Sequence, residues 1–192
     1  MTKENIKKAI GVLSQGGIVI FPTDTTFVIG CRMDSQRTVD RLFEIRRRPK
    51  DQAVSILVDS LEMAQKYLKP IEKKVKEAME KYWPGALTIV YNCSEDKVYP
   101  LIRAGGETLG VRMPDHEVAL ELIKGIKVPI LGPSANFHGQ NTSYKFEDLS
   151  PDLLKLVDFI LEGQTKNLNS ASTGLDCSVE PWKILREGAI KL

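Results

Sequence analysis

The chain has no long apolar run, no excess of one charge and few residues of the kinds that usually hold metals. Its 192 residues include three cysteines and two histidines. Cys31, Cys93 and Cys177 are widely spaced, odd in number and without a CxxC pair, which argues against a disulfide framework and against a thiolate zinc site. Reduced thiols in a cytoplasmic protein are the expectation. His116 and His138 stand in no metal or triad spacing, so a Ser-His-Asp hydrolase is disfavoured. No stretch approaches the ~20 apolar residues of a membrane span, and the start, MTKENIKKAIGVL, lacks the apolar core of a secretion signal. Basic and acidic residues number 27 and 25, a formal net charge of +2, so net charge alone points to no nucleic-acid partner. The common phosphate loops are missing too: there is no GxxxxGK[ST], and AGGETLG lacks the spacing of GxGxxG. Without repeats, low-complexity tracts or linkers, a chain of this size is expected to form a single domain over residues 1–192.

What is present is an alternation of helix and strand signals. Ile6, Ala9, Ile10 and Leu13 recur at helical spacing behind Thr2, and Gly16-Gly17 ends that helix. Ile18 to Phe21 predicts a strand. Ser35 is placed to cap a helix with the stripe Val39, Leu42 and Phe43, limited by Pro49. Further strands are expected over 53–58, 86–91, 108–113, 128–132, 157–163, 172–176 and 182–186. Helices are expected over 61–68, 71–82, after Asp115 and over 151–156, with a polar loop over 164–170. Such intermixing predicts an α/β or α+β domain around one sheet.

Several strands end in hydroxyl groups. Between Phe21 and Phe27 lies PTDTT, a stretch that makes turns but also presents Thr25. LGPSANFHGQNTSY, residues 131–144, presents Ser134, Asn136, Thr142 and Ser143 after an apolar run, and SASTGLD presents Ser170, Ser172 and Thr173. Arginines accompany them. Arg46 continues the inward stripe of Val39, Leu42 and Phe43, while Arg47 turns away. A guanidinium at the edge of a core needs an anion, and its planar fork suits phosphate. Together with Arg112 and Arg186, these strand ends are expected to line one cleft for a polar, anionic ligand. The lysines from 66 to 76 and the residues Tyr82 and Trp83 are expected to serve a solvated face and packing.

Seven segments, GGIVIFPTDT, FEIRRRP, WPGALTIV, GVRMPDH, PSAN, STGLD and ILREGAI, occur in the order and spacing that resemble the YrdC-like threonylcarbamoyl-AMP synthases. The resemblance runs nearly end to end. It implies a twisted mixed β-sheet with surrounding helices and a concave basic cleft. It also implies a nucleotidyltransferase that joins L-threonine, bicarbonate and ATP, releases pyrophosphate, and supplies threonylcarbamoyl-AMP to a downstream transferase that modifies tRNA. By the motif match Arg46 and Arg48 face the phosphates, and Thr108, Ser134, Asn136, Thr142 and Arg186 hold the nucleotide, with Gln52 beside it. Thr25, Arg112 and Ser172 resemble the threonine site. Magnesium is expected with ATP, although no ligand cluster marks its place. The chain departs from the family pattern at Arg46, where lysine is usual, at Phe27-Val28, where glycine usually follows the aromatic, at Gly132, where a hydroxyl is common, and at His138, which replaces a serine. Some relatives carry an added C-terminal domain; since the sequence stops at Leu192 just after ILREGAI, none is expected here. Two other readings stay open: a double-stranded RNA-binding or ribosome-maturation module, and a carbamoyl-adenylate-dependent transferase with another acceptor.

Overall fold

The computed structural model describes residues 2–166 and 169–192. Helix α1 (Lys3–Ser14) starts where the Thr2 hydroxyl accepts from the Asn5 amide and buries Ala9 and Leu13. Strands β1 (Val19–Pro22) and β2 (Phe27–Gly30) follow, then α2 (Gln36–Arg46), β3 (Ile56–Leu57), α3 (Leu61–Gln65), α4 (Lys73–Tyr82), β4 (Leu87–Asn92) and β5 (Thr108–Arg112). The remainder is α5 (Glu117–Ile126), β6 (Ile130–Leu131), α6 (Pro151–Leu154), β7 (Phe159–Ile160), β8 (Thr173–Asp176) and β9 (Lys183–Arg186). Among the described residues no helix is long and apolar enough to cross a membrane. The polar loop expected over 164–170 lies partly outside the described residues, at Asn167 and Leu168.

The strands form two mixed sheets where the sequence predicts one. In the smaller, β1 is central, antiparallel to β2 and parallel to β7. The larger has the order β6-β3-β5-β4-β8-β9, with β3 parallel to β5 and β4 parallel to β8. Backbone bonds stitch the two together along β2: Ala135 N–H donates to Phe27 O at 2.8 Å, Ile29 N–H to Pro133 O at 3.1 Å, and Leu131 N–H to Cys31 O at 2.9 Å. The apolar side chains of both sheets and of α1, α2 and α5 share one core.

This seam requires Gly30. A Cβ there would sit 2.6 Å from Ile130 Cγ2 and 2.8 Å from Phe21 Cε1, so even one methyl group overpacks the junction. Gly30→Ala is expected to destabilise the protein by about 1–3 kcal/mol in urea denaturation. A change below ~0.5 kcal/mol would show that the seam yields at no cost.

Local chemistry explains several departures from the expected elements. The run 53–58 contributes only Ile56 and Leu57 to the ladder, because the backbone before them is otherwise engaged. Arg48 Nε donates to Gln52 O at 3.1 Å and Val54 N–H to Ile102 O at 2.9 Å. Ser35 precedes α2 but makes no side-chain bond to the helix amides; its hydroxyl instead pairs with that of Thr38 at 2.8 Å. The same helix stops at Arg46, ahead of Pro49. Arg47 takes the left-handed conformation (φ 52°, ψ 37°), and the Arg48 amide donates back to Phe43 O at 2.9 Å. That is a Schellman closure, usually made by glycine.

Candidate active site

One face of the larger sheet forms the floor of a cavity of about 480 Å³. Alternate residues face the same side of a strand, so Thr88 and Val90 of β4, Thr108, Gly110 and Arg112 of β5, and Gly174 and Asp176 of β8 all reach it. Gly110 and Gly174 keep the floor low beside Val90 and Thr88, their respective partners in register. The walls are Thr25 and Thr26 from the β1–β2 turn, Arg46 and Arg48 from the end of α2, Ser55 and Leu57 around β3, Gly132 to Ser134 after β6, Thr142, Ser172, and Leu185 and Arg186 of β9.

Of the residues marked in the sequence, Thr25, Arg46, Arg48, Thr108, Arg112, Ser134, Thr142, Ser172 and Arg186 therefore surround one hollow. Gln52 and Asn136 do not line it. Gln52 is exposed, and its carbonyl accepts from Arg48. The side chain of Asn136 is spent on its own loop: Oδ1 accepts from Ser134 Oγ at 2.5 Å, while Nδ2 donates to Phe137 O and Gln140 O, both at 2.9 Å. Ser55, Thr88 and Asp176 join Thr108 and Arg112 in the lining. Their signal was available in the strand periodicity, since Thr88 shares a face with Val90, and Asp176 with Gly174.

The PTDTT turn has two separate jobs. Thr23 builds it: its hydroxyl donates to Thr26 O at 2.8 Å and accepts from the amides of Thr25 and Thr26 at 3.3 and 3.2 Å. Thr25 and Asp24 then engage Arg112, whose Nη1 donates to Thr25 Oγ1 at 2.8 Å, whose Nε donates to Gly85 O at 3.0 Å, and whose Nη2 pairs with Asp24 Oδ1. Burial draws the Arg112 pKa down from its usual value, and Asp24 opposes that shift. The Asp24–Arg112 pair is almost wholly out of solvent, with exposures of 2% and 5%.

The other arginines of the cavity, Arg46, Arg48 and Arg186, have no such counter-ion among the described residues. Arg46, 3% exposed, donates through Nε to Asn136 O at 3.0 Å, yet its buried Nη1 has no partner among the described residues. Burial, and then the like charge of Arg48, lower its pKa to about 10. It is still a cation at neutral pH. Arg48 donates to two carbonyls, Gln52 O and Ala53 O. Arg186 donates to Ser172 O and Oγ, both at 2.9 Å, and the Ser172 hydroxyl pairs with Thr88 at 2.8 Å. Burial lowers the pKa of both. An unpaired buried guanidinium is costly unless an anion joins it.

Besides Arg46, two departures from the family pattern line or flank this hollow in a legible way. Val28, buried, bridges to Ser134 across the seam between the sheets. At Gly132 a Cβ would meet Leu57 Cγ at 2.5 Å, so the absent side chain makes room for the leucine.

The fold and the cavity define an α/β protein that gathers cations and hydroxyl groups around one hollow on its larger sheet. A family model described as "Telomere recombination", for the Sua5, YciO and YrdC proteins, matches residues 11–188. The chain is 33% identical over 185 residues to a threonylcarbamoyl-AMP synthase of Bacillus subtilis, covering 96% of this chain and 54% of that protein. It is 34% identical over 188 residues to a threonylcarbamoyl-AMP synthase of Pyrococcus abyssi, covering 97% and 55%. The crystal structure of P. abyssi Sua5 complexed with L-threonine superposes with a TM-score of 0.93 at 32% identity, over 98% of this chain and 55% of that one. The chain belongs to the Sua5/YciO/YrdC family. It spans about half the length of these curated relatives.

Proposed function

We propose that this protein forms threonylcarbamoyl-AMP from L-threonine, bicarbonate and ATP. The observation that carries the proposal is the buried Arg46 Nη1, without a partner among the described residues, in the wall of a cavity that also holds Arg48, Arg112 and Arg186. A relative with the same fold and 32% identity was solved with L-threonine, which supports the amino-acid half of the reading.

The threonine amine and bicarbonate combine with loss of water to a carbamate. A carbamate oxygen then attacks the α-phosphorus of ATP, the bond to the β-phosphate oxygen breaks, and pyrophosphate departs with the electron pair. No covalent nucleophile from the protein is needed. Its work is to align two anions and to offset the charge that grows on the phosphates. Arg46 and Arg48 face the phosphates, and Thr108, Ser134, Thr142 and Arg186 hold the rest of the nucleotide. Thr25, Arg112 and Ser172 receive threonine. The three bonds Arg112 makes to Gly85, Thr25 and Asp24 leave N–H groups of its fork for the substrate carboxylate.

Among the described residues no group of three or more His, Cys, Asp or Glu side chains could form a metal cage. Asp176 is the one carboxylate among the described residues that lines the cavity; its Oδ1 accepts from Ser178, and its other oxygen is a donor that suits magnesium carried in on the triphosphate. There Asp176 would supply a protein oxygen, and the ion would neutralise phosphate charge.

Pyrophosphate release measured with each substrate omitted in turn tests the assignment, together with mass detection of the adenylate. Release is expected only when ATP, L-threonine and bicarbonate are all present. Full release without threonine would overturn the proposal.

A further inference from the structure

We propose that Arg47, which does not line the cavity, is the positioning residue that brings Arg46 and Arg48 to the same side. The inference rests on the reading of the cavity as a nucleotide site. Successive helical residues turn by about 100°, so two residues at i and i+2 point to nearly opposite sides. Had α2 continued, Arg48 would face away from whatever Arg46 faces. Both nevertheless line the cavity.

The reversal occurs at Arg47, at φ 52° and ψ 37°, a conformation that glycine takes freely and that L residues other than asparagine and aspartate seldom adopt. Lys127 closes α5 in the same region at φ 58°, but Arg47 has in addition a contact that favours it. Its guanidinium lies 4.6 Å from the centroid of the Phe137 ring, within the range of a cation–π contact. The same loop is fastened to the helix end twice more, by His138 N–H donating to Arg46 O at 2.8 Å and by Arg46 Nε donating to Asn136 O at 3.0 Å. The segment bearing Ser134 is thus clamped to the segment bearing both arginines, and the exposed Arg47 closes the clamp from outside.

What the reaction needs from position 47 is the left-handed backbone; the stack on Phe137 stabilises that conformation in a residue other than glycine. The test is calorimetric titration of Arg47→Gly, Arg47→Val, Phe137→Leu and the Arg47→Gly/Phe137→Leu double variant with ATP, with inorganic pyrophosphate and, separately, with L-threonine. Arg47→Gly should bind ATP within about threefold of the parent, since glycine takes the conformation freely. Arg47→Val should bind ATP about tenfold or more weakly, because a β-branched residue resists it most, while its threonine affinity stays within about twofold. Phe137→Leu should weaken ATP binding about threefold in the parent and not at all in the Arg47→Gly background. This last pair keeps the proposal testable if Arg47→Val fails to fold. Parent-like ATP binding by Arg47→Val, equal losses in Arg47→Gly and Arg47→Val, or the same Phe137→Leu effect in both backgrounds would each overturn it. A parent that binds neither ATP nor pyrophosphate would instead overturn the nucleotide reading on which the proposal stands.

Discussion

Arg46→Met is expected to reduce pyrophosphate release by at least about 100-fold while leaving the protein as stable as before or more so. The two effects have one origin. The guanidinium is buried and its Nη1 has no partner among the described residues, so the folded state carries a desolvated cation without a counter-ion there. Replacing such a charge with an apolar side chain of similar volume is neutral or stabilising by ~1–4 kcal/mol. The lost bond to Asn136 O returns roughly 1 kcal/mol of that. Urea denaturation and steady-state kinetics on the same preparation check both halves. Arg46→Lys keeps the charge as a compact point that still suits phosphate, and should retain activity within about tenfold. A stability loss beyond ~2 kcal/mol in Arg46→Met would mean that the side chain holds the fold and not a ligand.

Arg112 presents the opposite case. Its partner Asp24 is buried, so Arg112→Met strands a carboxylate in the interior and should cost about 3–5 kcal/mol in urea denaturation. Measured alone, that variant would show weak threonine binding simply because less of it is folded. The Asp24→Asn/Arg112→Met double variant separates the two. It should recover at least about 1–2 kcal/mol relative to Arg112→Met, yet still require far more L-threonine for pyrophosphate release. Threonine dependence equal to the parent in the double variant would remove Arg112 from the amino-acid subsite and leave it a purely structural cation.

How legible these arrangements were differs from residue to residue. The helical stripe of Val39, Leu42 and Phe43 placed Arg46 on the inward face, and the structure keeps it there. Strand ends rich in hydroxyls at Thr25, Ser134 and Ser172 do converge. These features follow from local period and turn chemistry, which a linear sequence displays. Asp24 was hidden because any aspartate in a turn has an adequate local reason to be there; its partner lies 88 residues further on. For Arg47 the sequence shows only that it turns away from the core, because helix closure in the left-handed conformation normally announces itself as glycine, and the ring that stabilises it belongs to another loop. The shortening of the 53–58 strand was likewise unreadable, as the competing donors come from Arg48 and the acceptor from Ile102. Division into two sheets, joined along β2, depends on pairings across the whole chain.

The cavity draws walls from the β1–β2 turn and from β9 alike, with nearly the entire element order between them. On a ribosome, then, the first strands emerge long before the last, and no partial chain encloses a hollow. Until β9 reaches β8, the wall that Leu185 and Arg186 supply is missing. Capture of a substrate by a nascent chain would therefore signal that synthesis of this fold is all but finished.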